Sequence, residues 1–334
     1  MSVWIIEPRD PIIFRDGKPF SATPGAWAKS LPFPYPSTIA GAVRTRAGQD
    51  GTGIFDTSKI TDLLKKEVRG PVLVELNTEG QPAEYLFPAP ADCLIVESKL
   101  NKEKGERLWV RPIKTEAQDF TNLKDGLLLV SPCPVMKDKP LSGTPRFWKW
   151  KELENWLLAP KNDETAIDPK TLGISGLTSE NRMHVKIAPG AQTAEEGMLF
   201  QTSGLEFASV TEKKLSEAKQ YALAVETDAS LTEGVDFLGG ERRMVNWRNK
   251  DVRDFPPCHE KIKGEILRTG HCRLILATPA LFTDGYLPKL EGMPAKVIAA
   301  AVPRGTAVSG WDYATKQQKA SRRLAPAGSV YFLK

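Results

Sequence analysis

Across the 334 residues there is no unbroken run of 18 apolar side chains. A membrane-spanning helix needs about 20, so no membrane span is expected. Cysteine is scarce, with four in all, and histidine scarcer, with three. That rules out a disulfide scaffold. The opening MSVWIIEPRD has no basic n-region and meets acid by Glu7, so it is not read as a signal peptide, and a cytoplasmic location is the expectation. Also missing are HExxH, GxSxG, a Gly-Lys-Ser/Thr phosphate loop and a clustered Asp pair. Positive evidence for an enzyme is therefore thin. Cys258-His259 and His271-Cys272 form mirror-image pairs, yet they lack CxxC or HxxxH spacing, and neighbouring residues on a strand point to opposite faces. Small buried thiols and surface histidines are expected there, with no metal and no cofactor.

What is present is ordinary in bulk and uneven in placement. Hydrophobic residues make up 41% and charged residues 26%, enough apolar surface to offset the entropy of ordering the chain. Gly and Pro number 26 each, which signals many turns and extended connections. The formal charge is only +5, but residues 13–49, 237–253 and 304–334 together hold +12 and the remainder −7. Segregation of this kind suggests one face suited to a polyanion; solvated surface charge is the other reading.

Along the chain, Val3 to Ile6 and Ile12 to Phe14 read as extended pieces around a Pro-bounded kink, and Asp16-Gly17 as a tight turn. Pro32, Pro34 and Pro36 force an extended approach. A helix follows at PSTIAGAVRTR, with Ser37 or Thr38 as N-cap. At 100° per residue Ile39, Ala42, Val43 and Arg46 share a face. Arg46 is thus expected to be half-buried and ion-paired, and Arg44 to be freer for a ligand. The amides at this helix start suit a phosphate. Residues 59–69 read as helix, 72–76 as strand, 88–145 as irregular insertions around short strands, and 147–158 as the best amphipathic helix. Residues 160–180 read as a polar linker. Strands follow at 183–187, 197–207, 221–226, 272–277, 296–302 and 330–333, with a short helix at 213–220. Mixed order with about one helix per two strands predicts an α+β class, most simply two ferredoxin-like domains, residues 1–165 and 181–334.

Two windows carry candidate binding chemistry. FLGGERRMVNWR joins Gly239 and Gly240 to Arg242 and Arg243; glycines let main-chain amides approach phosphate, and arginine adds bidentate bonds. A plain hairpin turn with a basic strand reads equally well. The closing window interleaves Trp311 and Tyr313 with Lys316, Lys319, Arg322 and Arg323, which suits single-stranded RNA and equally a surface loop. His184, on an alternating strand beside Arg182 and Lys186, is a candidate acid or base for RNA cleavage. A sheet-face histidine with a structural hydrogen bond is the preferred reading.

WIIEPRDPIIFRDGKPFSA, SLPFPYPSTIAGAVRTR, MHVKIA with TAEEGMLFQTSGLEF, FLGGERR and LAPAGSVYFL together resemble the third subunit of the Cmr (type III-B CRISPR) effector complex, a RAMP-superfamily protein. The resemblance implies two ferredoxin-like, RRM-related domains, and a scaffold and guide-capping role without nuclease activity. It implies binding to the 5′ repeat-derived tag of CRISPR RNA and docking between the large palm-domain subunit and the first backbone RAMP subunit. A homo-oligomer is not expected. Gly239, Gly240, Arg242 and Arg243 match the superfamily's glycine-rich loop, here cut to two glycines, and Ser37 through Arg46 match its Pro-Ser-Thr helix. With the basic windows, the expected RNA contacts are Arg15, Lys18, Ser37, Thr38, Arg44, Arg46, Lys186, Gly239, Gly240, Arg242, Arg243, Trp311, Lys319, Arg322 and Arg323. Trimming of CRISPR RNA by a metal-independent endoribonuclease using His184 is the enzymatic alternative.

Overall fold

The computed structural model describes residues 1–15, 27–28, 30–99, 101–114, 123–124, 126–133, 138–163, 165–210, 218–249, 252, 254–312 and 317–334. The chain divides into two compact units that alternate along the sequence: unit 1 holds 1–83, 177–254 and 308–321, and unit 2 holds 84–176, 255–307 and 322–334. One passage, at 176/177, falls inside the linker read at 160–180. The others interleave the units, so the division is not the single cut expected from composition.

Unit 1 opens with β1 (Ser2–Pro8), β2 (Trp27–Ala28), α1 (Pro36–Gly48), α2 (Ile60–Leu64) and β3 (Val68–Leu76). The chain passes to unit 2 within β4 (Pro82–Pro88), then forms β5 (Cys93–Glu97), β6 (Gly105–Ile113), β7 (Leu129–Pro132), β8 (Phe147–Lys149), α3 (Trp150–Leu158) and β9 (Gly173–Ile174). Unit 1 resumes with β10 (Thr178–Ile187), β11 (Ala194–Glu206), β12 (Ala208–Val210), β13 (Ala218–Thr227), β14 (Gly234–Leu238) and β15 (Arg243–Arg248). After α4 (Glu260–Thr269), β16 (Cys272–Ile275) and β17 (Val297–Ala301) in unit 2 come β18 (Thr306–Val308), then β19 (Trp311–Asp312) and β20 (Gln317–Gln318) in unit 1. β21 (Arg322–Leu324) and β22 (Val330–Leu333) close unit 2.

The sheet of unit 1 runs β14-β15-β1-β13-β3, with β12 also on β13. Every pairing among these strands is antiparallel, with Ile5 opposite Ala224, Ile6 opposite Trp247 and Leu73 opposite Leu223. β1 and β3, both antiparallel to β13, run the same way, and α1 makes the crossover between them. The VWII run of β1 is buried throughout, as a central strand requires. Ile39 and Val43 of α1 are fully buried, which bears out the helical stripe. Pro36 takes the first helical position and moves the cap to Tyr35; Ser37 and Thr38 lie exposed in the first turn with no side-chain cap bond. This corrects the expected N-cap. The helix read at 59–69 is a 3₁₀ turn (Thr57–Lys59) followed by the short α2, because Val68 and Arg69 already pair with β13. Of the helix read at 213–220, Ala218 to Gln220 are strand in β13, and the rest lies outside the described residues.

In unit 2 the short strands expected within 88–145 form the three-stranded sheet β5-β6-β7. The helix expected at 147–158 begins only at Trp150. Phe147–Lys149 pair as β8 between β4 and β9, and Trp148 is 1% exposed. The first amide of α3 donates to Glu84 Oε1 at 3.1 Å, a cap no local pattern reveals. Trp148, Trp156, Ile95 and Leu172 form one core cluster. Asp92, fully buried, accepts from Trp156 Nε1 (2.9 Å) and Arg273 Nη1 (2.5 Å), and Arg273 Nη2 also reaches the carbonyls of Trp156 and Leu157. The Cys93 thiol next to Asp92 is pushed well above its usual range, first by burial and then by that carboxylate. In the mirror pairs, His259 Nδ1 accepts the Lys261 amide and caps α4, and His271 Nδ1 lies 2.7 Å from Thr269 O. The thiols are not the buried ones expected: Cys258, ahead of the α4 cap, is exposed and Cys272 is half-buried.

Candidate nucleic-acid interface

Several of the expected contacts are tied into the fold. Arg44 donates to the carbonyls of Leu63 (3.1 Å), Leu64 (3.5 Å) and Lys66 (3.3 Å), tying α1 to the end of α2. The expectation that it is the freer arginine is corrected: unsatisfied carbonyls at a helix end attract a cation within reach. Arg46 is structural, as its helical face implied. Its side chain, 6% exposed, meets Asp236 at 3.0 Å and Thr232 O at 2.8 Å, with the guanidinium over the Trp247 ring. Its place among the RNA contacts is corrected accordingly. Lys186 pairs with Glu195 (2.8 Å) and Arg182 with Glu180 (2.8 Å) along β10; the Glu180 hydrogen bond holds the Arg182 pKa above its ordinary value. His184 Nε2 is 2.9 Å from Thr202 Oγ1, and its ring stacks on Phe200 at 5.1 Å, the sheet-face arrangement preferred from sequence. Lys18 and the side chain of Trp311 lie outside the described residues. Arg15, Lys319, Arg322 and Arg323 are exposed; the first two belong to unit 1 and the last two to unit 2.

What the fold brings together is the end of the β14–β15 hairpin and the segment after β1. Leu238 pairs with Arg243, closing a loop of residues 239–242. Gly240 N donates to Ile13 O at 2.7 Å, and Arg9 N donates to Met244 O at 2.9 Å. The same segment pairs Ile12 with Leu205 of β11. The two glycines differ. Gly239 has φ +73°, and a Cβ there would stand 2.5 Å from Ile13 O; at Gly240 the nearest atom would be 3.5 Å away. Gly239 is demanded by the backbone. Gly240, whose amide is already bonded, does not present it to a phosphate.

Past the glycines the backbone stays left-handed at two side-chain-bearing residues, Glu241 (φ 59°) and Arg242 (φ 51°). Each such residue costs about 1–2 kcal/mol, and conformations of this kind persist where surrounding structure enforces them. Arg243, 16% exposed, pairs back to Glu241 at 2.8 Å. Arg242 places its guanidinium 5.1 Å from the Phe237 ring centroid. On β14 and β15, Asp236, Leu238, Val245 and Trp247 face α1 through Arg46 and the core. The alternate residues Val235, Phe237 and Met244 are 59%, 51% and 42% exposed. Sequence reasoning passed over Phe237, Met244 and Arg9: the Val-Asp-Phe alternation reads Val235 and Phe237 as the buried face, and it is the pairing of Asp236 with Arg46, 190 positions away, that turns the strand over.

A profile of the CRISPR-associated protein (Cas_Cmr3) family matches residues 4–334. This chain belongs to that family. Two solved structures share its fold. One is of the type III-B Cmr-beta complex bound to cognate target RNA and AMPPnP, state 1, with a chain 17% identical at a TM-score of 0.51. The other is of the same complex bound to cognate target RNA, with a chain 18% identical at 0.52. Each match covers 99% of this chain and 86% of the other. Among curated protein sequences none matches significantly. No helix among the described residues is long and apolar enough to cross a membrane.

Proposed function

We propose that this Cas_Cmr3 family member is a non-catalytic RNA-binding and assembly subunit of a type III-B effector complex, its third RAMP subunit. It holds the 5′ repeat-derived tag of CRISPR RNA and docks the large palm-domain subunit onto the backbone RAMP subunit. The observation that carries the RNA reading is the hairpin end at 239–243, where adjacent arginines follow a turn the backbone adopts against its own preference. The β15-β1-β13-β3 order, with α1 crossing between parallel strands, supports a ferredoxin-like reading of unit 1. β14 stands where that pattern's second helix belongs. Fold similarity to chains from complexes bound to cognate target RNA agrees with this. The absence of cutting is supported by His184, whose imidazole is engaged by Thr202 and Phe200.

The test is titration of tag RNA against Arg242→Ala/Arg243→Ala across a salt series. Losing two phosphate contacts lowers the salt slope by about 1.4, at about 0.7 per contact for single strands, with affinity at least tenfold weaker at low salt. Equal affinity and equal slope would overturn the site. Labelled repeat RNA is expected to stay intact with the wild-type protein; cleavage that disappears in His184→Ala would replace this reading with the endoribonuclease.

A further inference from the structure

We infer that Phe237, Arg242 and Met244 form a stacking site for a single unpaired base of the bound RNA. The inference rests on the RNA-binding reading above and adds to it a contact with base rather than phosphate.

The starting point is an anomaly of placement. β14 is the edge strand of the unit 1 sheet, and natural edges are usually guarded by charge on their exposed face. Here the outward positions are Val235 and Phe237, with Met244 directly across from Phe237. The alternate face of the same strands is filled and buried, so these side chains are not spill-over from a crowded core. A guanidinium then covers the exposed ring at 5.1 Å. Arg242 reaches it from a left-handed backbone that glycine would adopt without cost.

The occupant follows from the chemistry. Aromatic rings and guanidinium planes both stack on unpaired bases, and here one of each lies side by side at an exposed edge. Met244 offers a polarizable, adaptable side wall. The charged groups placed at the patch are Arg9, exposed and joined to Met244 O through its amide, Arg242 and Arg243 on one side, and Glu241 and Asp10, whose Oδ2 accepts from the Met244 amide at 3.3 Å, on the other, three cations against two carboxylates. An RNA strand brings phosphates for these cations together with the base for the platform. A protein partner packing an apolar patch onto Phe237 would bury the Arg242 charge without a counter-ion.

The experiment uses the full-length protein and single-stranded tag RNA in which each nucleotide in turn is made abasic. Wild type is expected to lose about 5- to 150-fold in affinity at one position, as about 1–3 kcal/mol per stacked base implies. Phe237→Leu keeps an apolar side chain without the ring. It should lose a similar factor on intact RNA and become indifferent to the abasic change at that position. Arg242→Lys keeps the charge, so it should retain the wild-type salt slope while losing the base-dependent part. If Phe237→Leu binds intact RNA as wild type does while Arg242→Ala/Arg243→Ala is weakened, the loop holds phosphates alone and the stacking site is wrong. If neither variant is weakened, the RNA-binding reading itself has failed. If Phe237→Leu leaves RNA affinity unchanged and instead releases a protein subunit of the complex, the patch is a protein contact and the inference is overturned.

Discussion

Helix α1 and the β14–β15 turn each carry a pair of arginines within a few residues, and the fold uses them in opposite ways. On α1, Arg44 closes the carbonyl end of α2 and Arg46 is drawn into an ion pair with Asp236. Both charges are spent on holding unit 1 together. At the turn, Arg243 is half-anchored by Glu241, while Arg242 is lifted onto an exposed ring. A basic residue is therefore poor evidence for a polyanion site until its neighbours are known. The informative feature is a cation that the backbone holds out at a cost when a cheaper local arrangement exists.

The largest effect that tests this contrast is on stability. Arg46→Ala leaves Asp236 without its partner beside Trp247, and breaking a buried pair by removing one member costs about 3 kcal/mol. Arg44→Ala removes bonds to carbonyls that water can partly replace and costs about 1 kcal/mol. Urea unfolding followed by tryptophan fluorescence measures both, and RNA affinity per folded molecule should be unchanged in each. A loss of RNA affinity in Arg44→Ala at native stability would return α1 to the interface.

Next in size comes the pair of glycines. Gly239→Ala forces a Cβ against Ile13 O at positive φ and is expected to cost about 2 kcal/mol or more. Gly240→Ala meets only ordinary contacts and should stay within about 0.5 kcal/mol. Similar losses at both positions would mean that the loop is shaped by something other than its approach to the 11–14 segment.

How much of this was legible in the sequence depends on the distance between partners. The body of α1 with its Ile39–Val43–Arg46 face and the later parts of β10, β11 and β13 follow from proline, periodicity and alternation, all local; Thr178–Glu180 fall in the stretch read as linker and Ala218–Gln220 in one read as helix. The partners of the arginines do not. Arg46 meets Asp236 across 190 positions and Trp150 is capped by Glu84 across 66, so neither Arg46's counter-ion nor the start of α3 can be read nearby. Arg44 looked free because helical geometry places it off the buried face. The carbonyls that capture it belong to a helix whose end was misjudged. The interleaving of the two units was hidden for the same reason, since composition marks linkers and not the neighbours of a strand. Phe237 and Arg242 are only five residues apart, yet their meeting depends on two left-handed residues that nothing in Glu-Arg announces.

The smallest effect bears most directly on the contrast. Arg242→Gly removes the side chain and, with it, the cost of holding an L-residue at φ 51°. The hairpin should keep its stability to within about 1 kcal/mol, because relief of the αL penalty offsets the extra chain entropy of glycine and the lost Phe237 contact. Tag RNA should bind more weakly by at least the loss seen for Arg242→Ala. Weakened binding at unchanged stability is what a strained, outward-held arginine requires. Had Arg242 served the fold as Arg46 does, both would fall together, and a matched decrease in unfolding free energy and RNA affinity would erase the distinction between the two regions.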